Sequence, residues 1–324
     1  MILILAWTAI LAIGILLLLK GADFLVEGGA KIAAHIGVPT IIIGLTLVSF
    51  GTSLPELGAS LNALLKNKPG ISVGNVIGSN IANILLVLGV SSIIRPISVD
   101  IEVIKREIPM MFGAMVLFIL FAGPFLSDGN VIERWQGVLL LIALVAYLVF
   151  FASLALKRGN DDEVLEGKVE DKKTSDESPD WTINALKVVV GLLGIIIGSE
   201  LAIRSAIFYI GRFKLVEDVV GLTIIALATS LPELSTSSIA AFREEADISL
   251  GNVIGSNTLN ILMVIGVSAV VVPLTFSGEI YSSIFVMIIA SLFLTISMYT
   301  GEKLSRIEGV VMVAGYFAYM IYLY

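Results

Sequence analysis

Residues 51–56 read Gly51-Thr52-Ser53-Leu54-Pro55-Glu56, and residues 228–233 read Ala228-Thr229-Ser230-Leu231-Pro232-Glu233. Each sets a carboxylate beside a helix-breaking proline, within a run apolar enough to cross a membrane. A charge at membrane depth costs about 2.5–3.5 kcal/mol on insertion scales, so it marks a functional site by default. Two of them in one repeated context point to a single site built from two half-sites.

The surroundings agree. The chain of 324 residues is 57% hydrophobic and 15% charged, with a mean hydropathy of +1.00. A soluble domain carries about 25% charged residues, so this apolar excess is meant for lipid. The opening run from Ile2 to Leu19 has no basic start and no small-residue cleavage site, so it reads as a first span rather than a signal peptide. The chain has no cysteine, which excludes disulfides and thiolate metal sites. Its net charge of −7 gathers in one loop and does not argue for a nucleic-acid partner.

Ten apolar spans are expected, near 2–34, 38–65, 71–94, 102–123, 132–156, 183–210, 216–242, 248–272, 278–299 and 304–323. Between Lys157 and Asp180 lies a hydrophilic interval with nine acidic and five basic residues, read as a solvated linker. The expected units are residues 1–157, a linker at 158–181, and 182–324. The outer units are repeats. Gly74-Asn75-Val76-Ile77-Gly78-Ser79-Asn80 recurs unchanged at 251–257, and Gly14, Gly21, Gly44, Asn83, Gly89 and Pro96 match Gly191, Gly198, Gly221, Asn260, Gly266 and Pro273. Each unit holds five spans. Five is odd, so the second unit enters from the opposite side, which makes an inverted repeat of the kind found in secondary transporters. Lys and Arg favour both termini outside: eleven then fall on the cytoplasmic side and five outside.

Thr52 and Glu56 share a helix face. Pro55 crowds the carbonyl of Gly51, so the helix should break there and leave a backbone oxygen in need of a partner. Carboxylate, hydroxyl and carbonyl oxygens suit a hard cation such as Ca²⁺ or Na⁺, and no His or Cys stands nearby to suggest zinc or copper. Asn75, Ser79 and Asn83 line one face of span three, and Asn252, Ser256 and Asn260 repeat this on span eight; Gly74 and Gly78 read as packing positions. On span one, Asp23, Glu27, Lys31 and His35 form a polar stripe, and Glu200 and Arg204 occupy the positions that match Asp23 and Glu27. The stripe reads either as a helix end emerging into the headgroups or as a gate helix lining an ion path. His35 reads as interfacial.

The paired motif resembles the two α-repeats of the Ca²⁺/cation antiporter superfamily, and the prokaryotic sodium/calcium exchanger-like branch above all. The resemblance covers the whole chain. It implies an all-α polytopic membrane protein of ten transmembrane helices, with the site between spans two, three, seven and eight and with spans one and six sliding to alternate access. Carried over by position, it implies that Glu56 and Glu233 bind Ca²⁺ with the carbonyls of Thr52 and Thr229. Ser53, Ser230, Ser79, Ser256, Asn83 and Asn260, with the carbonyls of Ser49 and Ala226, would line neighbouring ion positions. Ala228 departs from the glycine expected there, Ser49 from a small apolar residue, and Asn260 from an acidic residue found in some relatives. The implied site therefore has two carboxylates. They balance one Ca²⁺ or two protons, whereas three Na⁺ would leave a net positive charge, so a Ca²⁺/H⁺ exchanger is favoured over Ca²⁺/Na⁺. Related sodium exchangers also carry Asn at both positions, which keeps Na⁺ open. The expected partners are Ca²⁺, H⁺ or Na⁺, and the lipid bilayer of a prokaryotic cell, with no cofactor, no enzymatic activity and no obligate protein partner. A cation channel is the alternative from another class. An intramembrane hydrolase lacks a base, nucleophile or metal-ligand set beside the glutamates.

Overall fold

The computed structural model describes residues 2–123, 130–165, 181–213, 226–278 and 280–323. The expected start of span seven at 216–225 and the acidic interval from 166 to 180 lie outside the described residues. The chain is an all-α polytopic membrane protein, and eight of the described helices are long and apolar enough to cross a bilayer. Span one is a single helix, Ile2–His35. Span two runs from Thr40 to Leu65 in pieces, and span three from Pro69 to Ile94. Spans four and five are Ile101–Ala122 and Arg134–Leu165. Span six is Trp181–Phe213. The described part of span seven is residues 226–242, and span eight runs from Ala246 to Val271 in pieces. Spans nine and ten are Ile280–Gly301 and Arg306–Leu323. Span five outlasts its expected end near 156. In the sequence Lys157 and Arg158 stand four residues before Asp161 and Asp162, a spacing that supports helix beyond the bilayer.

Two small strand pairs tie the halves together. β1 (Ile97–Ser98) pairs antiparallel with β4 (Lys303–Leu304), and β2 (Val131–Ile132) pairs with β3 (Leu274–Thr275). One ribbon is the repeat mate of the other, because Ile97 matches Leu274 and Val131 matches Lys303. Arg134 reaches the carbonyl of Val271 and its mate Arg306 reaches that of Ile94, both at 3.4 Å. Each ribbon joins a loop of one half to a loop of the other. Spans that alternate in direction put the paired loops on the same side, as an inverted repeat requires.

Without a hydrophobic drive between helices in lipid, close approach depends on small residues. Spans one and six lie antiparallel on a ladder of glycines. A Cβ on Gly14 would meet the carbonyl of Gly198 at 2.9 Å, one on Gly21 that of Gly191 at 2.7 Å, and one on Gly28 that of Asn184 at 2.8 Å. Seven residues separate each rung on both helices, the period of an intimate, shallow crossing. A second glycine contact crosses the halves. Gly251 and Gly255 of span eight lie against the carbonyls of Ile41 and Leu45 in span two, each 2.7 Å from where a Cβ would be. Gly78, the mate of Gly255, lies instead against the methyl side chain of Ala226, 2.9 Å from where a Cβ would be.

The glycine ladder generates a test. Gly21→Leu places atoms where the span-six backbone already is, and overpacking of this kind costs about 1–3 kcal/mol. A lowered melting midpoint in detergent is expected, read by the loss of monodisperse protein on heating. Gly58→Ala, where nothing stands within 4 Å, should hold or raise the midpoint, since alanine favours helix by up to about 1 kcal/mol. Equal behaviour of the two variants would remove the packing account.

Candidate cation-binding site

Span two breaks where its proline demands. The helix through Ser49–Thr52 ends, Ser53 takes φ −83° and ψ 0°, and a new helix runs from Leu54 to Leu65 with Pro55 in its first turn. Span seven does the same at Ser230, with φ −82° and ψ 2°, before the helix Leu231–Phe242. The two breaks are superimposable in conformation because their sequences are. Glu56 and Glu233 each sit in the first turn of the helix that follows, where the positive end of the helix dipole favours an anion. The last carbonyls of the preceding half-helix face the same break, and such ends coordinate cations in broken-helix transporters.

Both glutamates are fully buried. Each faces hydroxyls from both halves. Glu56 lies beside Thr229 and Ser79, although neither of its oxygens completes a well-formed hydrogen bond among the described residues. Glu233 accepts a bond from Ser256 Oγ at 3.2 Å and lies beside Thr52 and Ser53. The threonines are held from the opposite half in turn. Thr52 Oγ1 donates to Asn252 Oδ1 at 3.0 Å, and Thr229 Oγ1 donates to Asn75 Oδ1 at 3.3 Å. Asn252 Nδ2 donates to Ser237 Oγ at 2.9 Å, and Asn75 Nδ2 to Ser60 Oγ at 3.2 Å. Ser60 and Ser237 are repeat mates that complete this polar girdle. The constant offset of 177 relates them, but hydroxyls are so common in membrane helices that the pair does not stand out in the sequence.

Ser53 Oγ, Ser230 Oγ, one Glu233 oxygen, both Glu56 oxygens and both amide atoms of Asn83 are buried and unpaired among the described residues. Buried polar atoms are normally satisfied, and each exception needs an explanation such as an ion. The glutamate oxygens and Ser53 sit with Ser79 and Ser256 between spans two, three, seven and eight. The carbonyls of Ser49 and Ala226 are engaged already. Each accepts its helical N–H at 3.0 Å and lies 3.3 or 3.1 Å from a threonine hydroxyl, whose one proton it shares with the asparagine opposite.

One feature of the backbone lay outside the reach of hydrophobic periodicity. Spans two, three and eight each contain a π-helical turn, at Gly44–Val48, Asn83–Leu88 and Asn260–Ile265. Two of these turns begin at the matched asparagines. A π turn inserts a residue, rotates the face that follows and loosens backbone bonds, and such turns favour functional sites. The asparagines are not equivalent, however. Asn260 Nδ2 donates to Asn80 Oδ1 at 3.1 Å, while Asn83 makes no corresponding bond to Asn257. Span four adds a buried carboxylate absent from the expected set: Glu107, paired to Arg106 at 2.9 Å. Its repeat neighbour Ser283 is a hydroxyl held by Tyr319 at 3.1 Å. His35 stacks at a tilt on Trp181, 5.9 Å between ring centres, where span one ends and span six begins.

The model of the family described as "Sodium/calcium exchanger protein" matches residues 6–153 and 183–324. The chain belongs to the sodium/calcium exchanger family. The unmatched interval between the two stretches coincides with the hydrophilic linker. Among members of this family, the putative antiporter CaxA of Alkalimonas amylolytica is 34% identical over 98% of both chains. The sodium/calcium exchanger MaX1 of Methanosarcina acetivorans is 34% identical over 97% of both. Of solved structures, the sodium-calcium exchanger NCX_Mj soaked with 10 mM Na⁺ and no Ca²⁺ superposes with a TM-score of 0.82, at 31% identity, over 99% of this chain and 100% of the other. An exchanger-family chain is a transporter, and the fold and the placement of the breaks accord with that.

Removing one of two anionic ligands from a desolvated site should weaken Ca²⁺ binding at least about 100-fold. Glu56→Gln and Glu233→Gln are therefore each expected to lose saturable ⁴⁵Ca²⁺ binding in equilibrium dialysis. Ser60→Ala, one step behind Asn75, should weaken it by less than about tenfold. Retained tight binding in both glutamine variants would overturn the assignment.

Proposed function

We propose that this protein is a Ca²⁺ antiporter that binds its cargo between Glu56 and Glu233 and exposes that site to the two sides of the membrane in turn. The carrying observation is the meeting of two buried carboxylates, from two inverted half-helices, at a place where hydroxyl and amide oxygens stand unpaired. Ca²⁺ takes six to eight oxygens. The glutamates with Ser53, Ser230, Thr52, Thr229, Ser79, Ser256, Asn83 and Asn260 supply such a set, and the carbonyls at Ser49 and Ala226 join it once the threonine hydroxyls release them. The first and second five-span units, about 1–157 and 182–324, contribute one half-site each, and the acidic linker joins them.

The favoured counter-ion is H⁺. Two carboxylates buried together need two positive charges, which one Ca²⁺ or two protons supply equally. Asn260 adds an amide where a third carboxylate would call for more cation charge. The Na⁺ reading draws its support from the names of the relatives, MaX1 and NCX_Mj both being called sodium/calcium exchangers. Both readings place lipid around the spans, and the distribution of basic residues favours termini outside.

Purified protein in liposomes decides between them. A pH gradient alone should drive ⁴⁵Ca²⁺ uptake, and an outward Na⁺ gradient at constant pH should not. Uptake driven only by Na⁺ would replace H⁺ as the counter-ion. Uptake with neither gradient, following the Ca²⁺ gradient alone, would make the protein a channel. The exchanger with Asn260→Asp should carry more counter-charge per Ca²⁺, seen as a steeper dependence of uptake on membrane potential.

A further inference from the structure

Repeat mates outside the cation site carry matched charges in unmatched surroundings. Asp23 of span one matches Glu200 of span six, and Lys66 at the end of span two matches Arg243 at the end of span seven. At the end of the molecule that carries His35 and Trp181, Arg243 bonds Asp23 at 2.7 Å and lies 3.6 Å from Glu27. Glu27 is held further by Lys187 of span six at 2.6 Å and by Lys31 at 2.8 Å. At the opposite end the mate contact is not made. Glu200 turns to Arg204 one turn along its own helix, 2.6 Å away, with both side chains more than half exposed. Among the described residues Lys66 has no ion-pair partner and is exposed. Packing follows the charges: span one lies closely along the second half of span seven, whereas span six barely touches the second half of span two.

We propose that Asp23–Arg243 is one of two alternating ionic latches, and that Glu200–Lys66 is the other, closed when the first is open. The sequence of the repeats makes both ends capable of the same contact, and the structure satisfies it at one end only. Spans one and six meet through glycine backbones, so they move as a pair, and the pair cannot press on span seven at one end and on span two at the other at the same time. Arg204 holds Glu200 while its latch is open. Its own mate is Glu27, of opposite charge, which explains why the two ends rest differently. A charge run that merely marks helix ends in water would not keep its sign through an inverted repeat at both partners. The proposal rests on the antiport reading, because only a transporter with two access states needs two latches.

The chain has no native cysteine, so Leu65→Cys and Ile197→Cys, exposed at the end of span two and on span six, accept spin labels cleanly. Their separation reports closure of the Lys66 end without altering either latch. In the full-length protein in liposomes, Arg243→Gln should raise the population of the short separation about threefold, the shift that a part-exposed ion pair exerts on a two-state equilibrium. Lys66→Gln should lower it, and Asp23→Arg with Arg243→Asp should restore the wild-type distribution. Lys66 stands on an exposed helix end, so its arm survives if Arg243→Gln does not fold. An unchanged distribution, or a shift in the same direction from both single variants, would overturn the latches. The measurement needs no ion flux, so failure of Ca²⁺ exchange in the liposome assay and failure of the latches are distinguishable.

Discussion

A proline four residues after a carbonyl, in the middle of a membrane, is the constraint from which the architecture follows. Pro55 and Pro232 have no N–H to give to Gly51 and Ala228 and crowd those carbonyls. Water would cover the freed oxygens at no great cost. Lipid offers nothing, and an unsatisfied backbone group there costs several kcal/mol. Both breaks must therefore be buried in protein, facing something polar. That requirement pulls spans two and seven to the centre and wraps spans three and eight around them. The glycines of spans three and eight then become necessary rather than merely tolerated. Gly251 and Gly255 let the first half of span two lie directly on backbone, which seals one break from lipid while leaving its polar face turned inward.

Neither half can build the site alone. Thr52 of the first half is held by Asn252 of the second, and Thr229 by Asn75. Glu56 faces Thr229, and Glu233 faces Thr52. The hydroxyls beside each carboxylate thus come from both repeats: Thr229 and Ser79 at Glu56, Thr52, Ser53 and Ser256 at Glu233. In the proposed antiporter, cargo at the centre would bridge the halves, which bonds of about 3 Å already couple. The mutual holding also explains why buried polar atoms are tolerated here at all: most of the girdle is satisfied across the boundary, and unpaired oxygens remain on both carboxylates.

Much of this was legible in the chain itself, for an identifiable reason. Duplication turns weak local signals into strong ones. A single Ser-Leu-Pro-Glu could mark any kinked helix, but the same residues at a constant offset, with Gly74–Asn80 repeated unchanged, announce one inverted pair. The breaks at Ser53 and Ser230, the burial of both glutamates and the packing role of Gly78 all follow from residue chemistry that acts locally. What periodicity could not show was backbone register. The π turns at Asn83 and Asn260 leave no trace in hydrophobicity, because both flanks remain apolar. Nor could spacing show that Ser60 and Ser237 lie behind the asparagines, since that depends on how closely spans two and three approach. Glu107 is hidden in the sequence because it has no acidic mate and sits beside an arginine, which looks like the charged end of a helix until its burial is seen.

The two half-sites are alike in sequence and unlike in structure, and this inequality is itself informative. Asn260 bonds Asn80 while Asn83 stands unpaired. The ionic contact of Asp23 has no counterpart at Glu200. A duplicated sequence with a single optimum would settle into a symmetric arrangement. One that departs from symmetry at both centre and periphery fits the two-latch proposal, in which a second arrangement is the first turned over, because Asp23 and Arg243 have mates of the same charge in Glu200 and Lys66. The Asp23–Arg243 contact has a like-charged counterpart in Glu200–Lys66, whereas the contacts of Glu27 to Lys187 and Lys31 do not, so the two arrangements are near in energy without being equal. A small differential affinity of cargo or counter-ion can then select between them. Under the antiport proposal, alternation needs no separate engine: it would follow from writing the same five spans twice, in opposite directions, around a pair of buried carboxylates.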